Sequence, residues 1–398
     1  MSVPLDRLYN FLHDVCNRDD LIIYRFFPHG SRKLEDVQPL RSDNRLLILH
    51  KNYIFCHDQE PLNFDLYNEI DVNDLDAIKH ELKYLDEHNI EKYKQICKQV
   101  MPKMNLKWAA GLIGAFEVDA VLIHSEKRSP ELKKYKDLEF IPVYWWSHGL
   151  IALDWFRYAE IDPALNKKNI KHDFLIYNRA WSGTREYRIK FADLLSKHKL
   201  HQYCLTWFSE IDNNQHYLNH TFVNPKFSTK NSNLPFEFPS SQANSNSSAD
   251  YVGQDYQNTR IEVVLETLFD DSRLHLTEKI LRPIACGQPF ILASTHGSLE
   301  YLRSYGFETF SEFINETYDT IPDALERLEA IVAEMSRISH LPDVEKENLY
   351  QNLDKIAQRN KKLFFSMSWQ QQIVDEFRTN MNHALTTIDQ INHSLTGQ

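Results

Sequence analysis

Residues 275–294 read HLTEKILRPIACGQPFILAS. Thr277 is a good N-cap, so Glu278 and Lys279 fall in the first turn of a helix, where free backbone N–H groups and the helix dipole favour an anion. Pro283 removes one helical hydrogen bond and predicts a kinked or short helix. Beyond Gly287 the run PFILAS reads as a buried strand.

The same grammar extends in both directions. Upstream, DFLIY at 173–177 and QYCLTW at 202–207 read as strands flanking a helix over TREYRIKFADLLSKH, residues 184–198, and IEVVLET at 261–267 reads as a further strand. Downstream, SLEYLRSYG at 298–306 reads as a helix. In the first 150 residues, RLLILH, NYIFCH, DAVLIHS and FIPVYWW read as strands, with a long helix over 75–100. Strands alternating with helices specify a parallel α/β sheet. Two such series predict two Rossmann-like domains facing a central cleft, with ligands at the carboxyl ends of the strands.

The boundaries follow from composition. Residues 1–161 form the first domain, the polar stretch DPALNKKNIKHD at 162–173 is the linker, and 174–365 form the second domain. An Asn-, Ser- and Pro-rich surface insertion interrupts that domain at about 209–258. From 322 onward the chain turns helical. In a last helix over 366–398, Ile373, Phe377, Met381, Leu385 and Ile388 repeat at close to 3.6 residues, giving one apolar face that packs back on the N-terminal domain.

At 398 residues the chain exceeds what one hydrophobic core supports. Its 42% hydrophobic content makes it globular. A formal charge of -11 argues against a broad electrostatic footprint on nucleic acid while leaving room for a local basic cleft. Cys16, Cys56, Cys97, Cys204 and Cys286 are odd in number and widely spaced, which suits a reducing cytoplasm better than a disulfide framework. No signal peptide and no apolar run of about 18 residues is present, so no membrane span is expected.

Several chemistries lack their motifs. The ten glycines form neither a dinucleotide fingerprint nor a P-loop. There is no nucleophile elbow and no zincin helix. The pair Asp74 and Asp76 sits in a charged helical pattern that reads as a solvated face. Cys56, His57, Asp58 and Glu60 imitate metal ligands but have no distant partner cluster, so no metal is assigned.

What remains suits a diphosphate. Lys279 and Arg282, three residues apart, share a helix face beside the anion-binding turn of Thr277 and Glu278. In the preceding unit a strand ends at Asn178, and the next helix opens with Arg185 and Arg188. Two neighbouring strand-to-helix junctions, each carrying cations, would converge on one anion at the sheet's carboxyl edge. An ordinary charged helix start over a core strand is the competing reading of each junction. His148, in YWWSHGLIALDW, lies among aromatics where a sugar acceptor would stack, with a satisfied core histidine as the alternative.

Taken together, Asn178, Arg188 and Phe191, the TEK run Thr277–Lys279 and the strand after it resemble the metal-independent GT-B glycosyltransferases of the bacterial alpha-1,3-fucosyltransferase type. The likeness covers 172–195 and 262–315, with a thinner match at FCHDQEPLNFDLYNE. Residues 263–310 are also similar to uncharacterised glycosyltransferase-like proteins of bacteria and tailed phages. The resemblance implies a nucleotide-diphosphate sugar as donor substrate, no cofactor, and an inverting displacement. In it, Arg188 and Lys279 hold the diphosphate, Glu278 contacts sugar or nucleoside, and Glu60 is the general base with Asp58 or His57 in reserve. Where the fucosyltransferases carry an Asn-rich signature this chain has NRAWSGTRE, which leaves the donor sugar open. The acceptor is a saccharide or small hydroxylated molecule. Alternatives are a hydroxymethylated base of phage DNA, placing the enzyme in a host cytoplasm, and a non-catalytic sugar- or nucleotide-binding module.

Overall fold

A computed structural model describes residues 21–24, 52–57, 119–124, 143–145, 147–229 and 250–396. The chain divides into two compact units: His148–Ile373, and Pro4–Ser147 taken with Val374–Gln398.

In the second of these, β1 (Leu21–Tyr24), β2 (Asn52–His57), β3 (Asp119–His124) and β4 (Val143–Trp145) form a four-stranded sheet in sequential order. All three pairings are parallel. The runs NYIFCH, DAVLIHS and FIPVYWW each supply a strand. RLLILH, the helix at 75–100 and the Asp74–Asp76 pair lie outside the described residues.

The unit His148–Ile373 begins with α1 (Gly149–Trp155) and is organised around β5 (His172–Asn178), β6 (Cys204–Phe208), β9 (Thr259–Leu265) and β10 (Phe290–Ala293). Their order across the sheet is β10-β9-β5-β6, all parallel. The strands are nearly continuous apolar runs because both faces are covered; Phe174, Ile261, Val263 and Ile291 are fully buried. Helix α2 (Tyr187–Lys197) joins β5 to β6, and α4 (Glu278–Cys286) joins β9 to β10. These crossovers run in opposite directions across the sheet, so the right-handed rule puts the two helices on opposite faces. Their neighbours agree: α2 packs against α6 (Ala324–Ser339), and α4 packs against α1 and α7 (Asp343–Phe364).

Between β6 and β9 the described parts of the insertion, 209–229 and 250–258, carry structure of their own, and 230–249 lie outside the described residues. A two-residue hairpin, β7 (Ile211–Asp212) with β8 (Gln215–His216), is followed by 3-10 turns and by α3 (Gly253–Asn258). Residues 162–173 belong to the same unit. The amides of Asn169 and Lys171 bond the carbonyls of Gln257 and Asn258 at 2.9 Å each, and 172–173 already lie in β5. The Lys168 ammonium adds a side-chain bond to the Tyr256 carbonyl of α3 at 3.0 Å, so polarity in this stretch serves docking onto that helix.

After β10 come α5 (Ser298–Arg303), the long α6 and α7, and α8 (Met367–Thr396). Ile373, Phe377 and Met381 of the periodic face are buried and Leu385 is half-buried. The result is mixed α/β: parallel four-stranded sheets with helices at the C-terminus.

Candidate functional site

The sheet order fixes where a ligand pocket belongs. Leaving β5 the chain moves outward to β6; returning, it enters β9 on the other side of β5. Loops at the carboxyl ends of β5 and β9 thus depart in opposite directions, which makes this edge the switch point of an open α/β sheet, where ligands of such sheets bind in a crevice. β5 ends there at Asn178 and β9 at Leu265.

Arg188, 2% exposed, ties the two strand ends together. Its Nη1 donates to the Ala180 carbonyl at 2.6 Å, and its Nη2 to those of Leu265 and Glu266 at 2.6 and 2.9 Å. The Tyr187 hydroxyl donates to the same Glu266 carbonyl at 2.6 Å, and its ring stacks on Phe269. The loop after β5 is held from the other side. The carboxylate of Asp212 accepts the amides of Trp181 and Ser182 at 2.8 and 2.7 Å.

Glu266, fully buried at the end of β9, organises the start of α4. It accepts the Thr277 amide at 3.0 Å and the Thr277 hydroxyl at 2.7 Å. The Thr277 oxygen in turn accepts the Lys279 amide at 3.2 Å, completing the N-cap. Nothing near the TEK run in sequence announces Glu266. The signal was a pair of acids, Glu262 and Glu266, within the mostly apolar run IEVVLET, since a carboxylate on a buried strand must find partners.

Lys279 reaches back over this cap. Its Nζ donates to Glu278 Oε1 at 2.8 Å and to the hydroxyls of Thr267 and Thr277 at 3.2 Å each. Burial pulls the ammonium below its ordinary pKa, while Glu278 and Glu266 oppose that shift. Glu278 is 2% exposed, and its second oxygen, Oε2, lies 4.0 Å from His148 Nδ1. His148 is itself buried against His275. Thr277, Glu278, Lys279 and His148 are therefore brought together.

Other predicted residues stand differently. The Asn178 side chain is buried at the strand end, and its Oδ1 has no hydrogen-bond partner among the described residues. Arg185 ends the 3-10 turn Gly183–Arg185, where its charge acts on Asp212. Arg282 does not join Lys279: it is 5% exposed, pairs with Glu262 Oε1 at 2.5 Å and lies over the Tyr177 ring. The Tyr256 hydroxyl donates to the same carboxylate, closing a buried network on the α4 face of the sheet. A basic residue that the reading had missed, Arg179, follows Asn178 directly. Its side chain is exposed by area, yet desolvation by its surroundings pulls the guanidinium below its ordinary pKa, a shift that Arg188 adds to and Glu278 and Asp212 oppose. His57 closes β2 in register with His124. Asp58 and Glu60 lie outside the described residues.

Among the described residues, no three His, Cys, Asp or Glu side chains gather as metal ligands would, and no helix is long and apolar enough to cross a membrane. Compared with models of protein families, with curated proteins and with solved structures, the chain finds no match in any of the three.

Proposed function

We propose that the protein binds a nucleotide-diphosphate sugar at the β5–β9 crevice and transfers the sugar to a hydroxyl acceptor, as a metal-independent, inverting glycosyltransferase of GT-B arrangement. The observation that carries this reading is the first turn of α4. Lys279 and the helix N-terminus lie at the switch point of a parallel sheet, with Glu278 buried beside them.

In the proposed reaction a carboxylate on the acceptor side, Glu60 by the resemblance, takes the proton from the acceptor hydroxyl. The acceptor oxygen bonds to the anomeric carbon as that carbon's bond to the diphosphate oxygen breaks, and the diphosphate departs with the electron pair. Lys279 and Arg179 face the charge that builds on the leaving group, and the donors of a positioned helix start add to them. Glu278 takes hydrogen bonds from hydroxyls of the sugar or nucleoside. Arg188 acts through the backbone, keeping the two strand ends at one spacing.

A thermal-shift screen of UDP, GDP, TDP and CMP sugars tests the reading. A donor at a hundred times its Kd stabilises the fold by about 2.7 kcal/mol. Lys279→Met abolishes that shift. If no nucleotide sugar moves the midpoint, the donor site is not at this crevice. Once a donor is found, Glu60→Gln keeps donor binding and loses transfer. Donor binding without hydrolysis or transfer in the parent leaves a binding module instead.

A further inference from the structure

His148 and His275 come from different elements, one just ahead of α1 and the other just ahead of α4, and both are 1% exposed. Their Nε2 atoms are 3.2 Å apart, with the rings at 81°. Two imidazoles that share an Nε2···Nε2 hydrogen bond hold one proton between those nitrogens, so one ring donates and the other accepts. The far side of His148 favours one direction: there Nδ1 stands 4.0 Å from Glu278 Oε2, too far for a hydrogen bond but close enough for the carboxylate to favour a proton on Nδ1. An Nδ1–H there points at a carboxylate, whereas a bare Nδ1 would set lone pair against lone pair. An imidazole whose one proton is on Nδ1 has a bare Nε2 that accepts, and in that tautomer of His148 the donor is His275 through Nε2–H.

We propose that His275 and His148 form a directional imidazole pair that positions the Glu278 carboxylate for its ligand, a role that rests on the donor-site reading above. Glu278 is bonded at one end, where Lys279 takes Oε1 at 2.8 Å, and faced at the other, where His148 Nδ1 stands 4.0 Å from Oε2, an electrostatic approach beyond hydrogen-bond range. Neither histidine is a catalytic residue in this scheme. His275 fixes the tautomer of His148, and His148 aims the carboxylate, the logic by which an outer partner orients a ligating side chain. The ligand it serves is the hydroxyl-bearing part of the donor, because a carboxylate paired with Lys279 offers acceptors to hydroxyl donors.

The tautomers are read directly by long-range nitrogen–proton NMR on histidine-labelled full-length protein, with His148→Gln and His275→Gln used for assignment. The expected pattern is Nδ1–H on His148, the form that imidazole in water disfavours, and Nε2–H on His275. The reverse pattern, or rapid exchange between the two, overturns the pair. The second arm measures nucleotide-sugar binding by calorimetry. His275→Gln, whose amide N–H reproduces the donor, keeps the affinity. His275→Leu weakens it about tenfold, the loss expected for one hydrogen bond to a charged network, with its melting midpoint checked separately. Equal affinity in the Leu variant overturns the positioning role even if the tautomers are as stated. Absence of any nucleotide-sugar binding by the parent, with the tautomers as stated, removes the donor reading and with it the ligand assigned to Glu278.

Discussion

A guanidinium whose Nη groups are committed to three backbone carbonyls is a strut before it is a ligand contact. Arg188 is of that kind, and Arg179, exposed just beyond the end of β5, is of the other. The two therefore separate by experiment. Arg188→Met removes the guanidinium donor from the Ala180, Leu265 and Glu266 carbonyls, of which Glu266 keeps the Tyr187 hydroxyl, and is expected to lower stability by about 3 kcal/mol, measured by denaturant unfolding. Arg179→Ala leaves the unfolding midpoint within about 0.5 kcal/mol of the parent and weakens nucleotide-sugar binding. Asp212 makes a second residue-scale prediction. Burial opposes its ionisation, but hydrogen bonds from Ser182 and Trp181 outweigh burial and hold the carboxyl below its ordinary value. A depressed folded-state pKa gives stability that is present above the unfolded pKa, about 3.9, and lost as pH falls through the folded value. The parent is thus expected to exceed Asp212→Asn by about 1–2 kcal/mol at pH 7, and the gap closes below about pH 4. A gap that stays constant from pH 7 down to the acid limit of folding would show that the carboxylate's charge is not what holds the Trp181–Ser182 loop.

Helix α4 is short because both of its ends are fixed. Thr277 caps one end. At the other, Gly287 sits at φ 69°, its amide bonding the Ile284 carbonyl and that of Gln288 the Pro283 carbonyl, a Schellman closure. Pro283 lies inside the helix, and the nine residues hold only because neighbours pack on both sides. Thr277→Val removes the cap acceptor and leaves Glu266 Oε2 without the hydroxyl, with an expected loss of about 1–2 kcal/mol. Gly287→Ala forces a Cβ into the left-handed region 2.7 Å from the Gln358 side chain, for an expected loss of about 1–2 kcal/mol. Thermal melts measure both. At this scale the sequence was most readable: β5, β6, β9, β10, α2 and α4 each follow from an apolar run or a cap because such signals are local. Elements whose cause is distant were not readable. The two-residue strands β7 and β8 and the six-residue α3 are too short for any period. Residues 162–173 look like a linker because their polar backbone partners lie some 90 residues away, at Gln257 and Asn258. Arg282 shares a wheel face with Lys279, but only the fold brings Glu262 of β9 beside it. His148 and His275 stand 127 positions apart and could be joined only in three dimensions.

Charge acts on the molecule as a whole. Lys and Arg number 45 against 56 Asp and Glu, so duplex DNA approaches a net repulsive surface, and any DNA acceptor would have to be held by a local set of cations. Among the described residues at the β5 and β9 strand ends that set is small: Lys279 is paired with Glu278 and Arg188 with carbonyls, which leaves Arg179 as the exposed cation. A saccharide or small-molecule acceptor needs no phosphate contacts and fits this distribution better. Each neutralised phosphate contributes about 0.9 to the slope of log K against log salt, so a DNA-modifying enzyme with about six contacts would bind duplex in 50 mM salt and lose about a thousandfold of affinity by 200 mM. The expected result of a gel-shift titration over that range is no retarded band at micromolar protein, with or without hydroxymethylated bases. A band that is strong at low salt and fades steeply would move the acceptor from sugar to nucleic acid, while the donor crevice and its test by nucleotide sugars would stand unchanged.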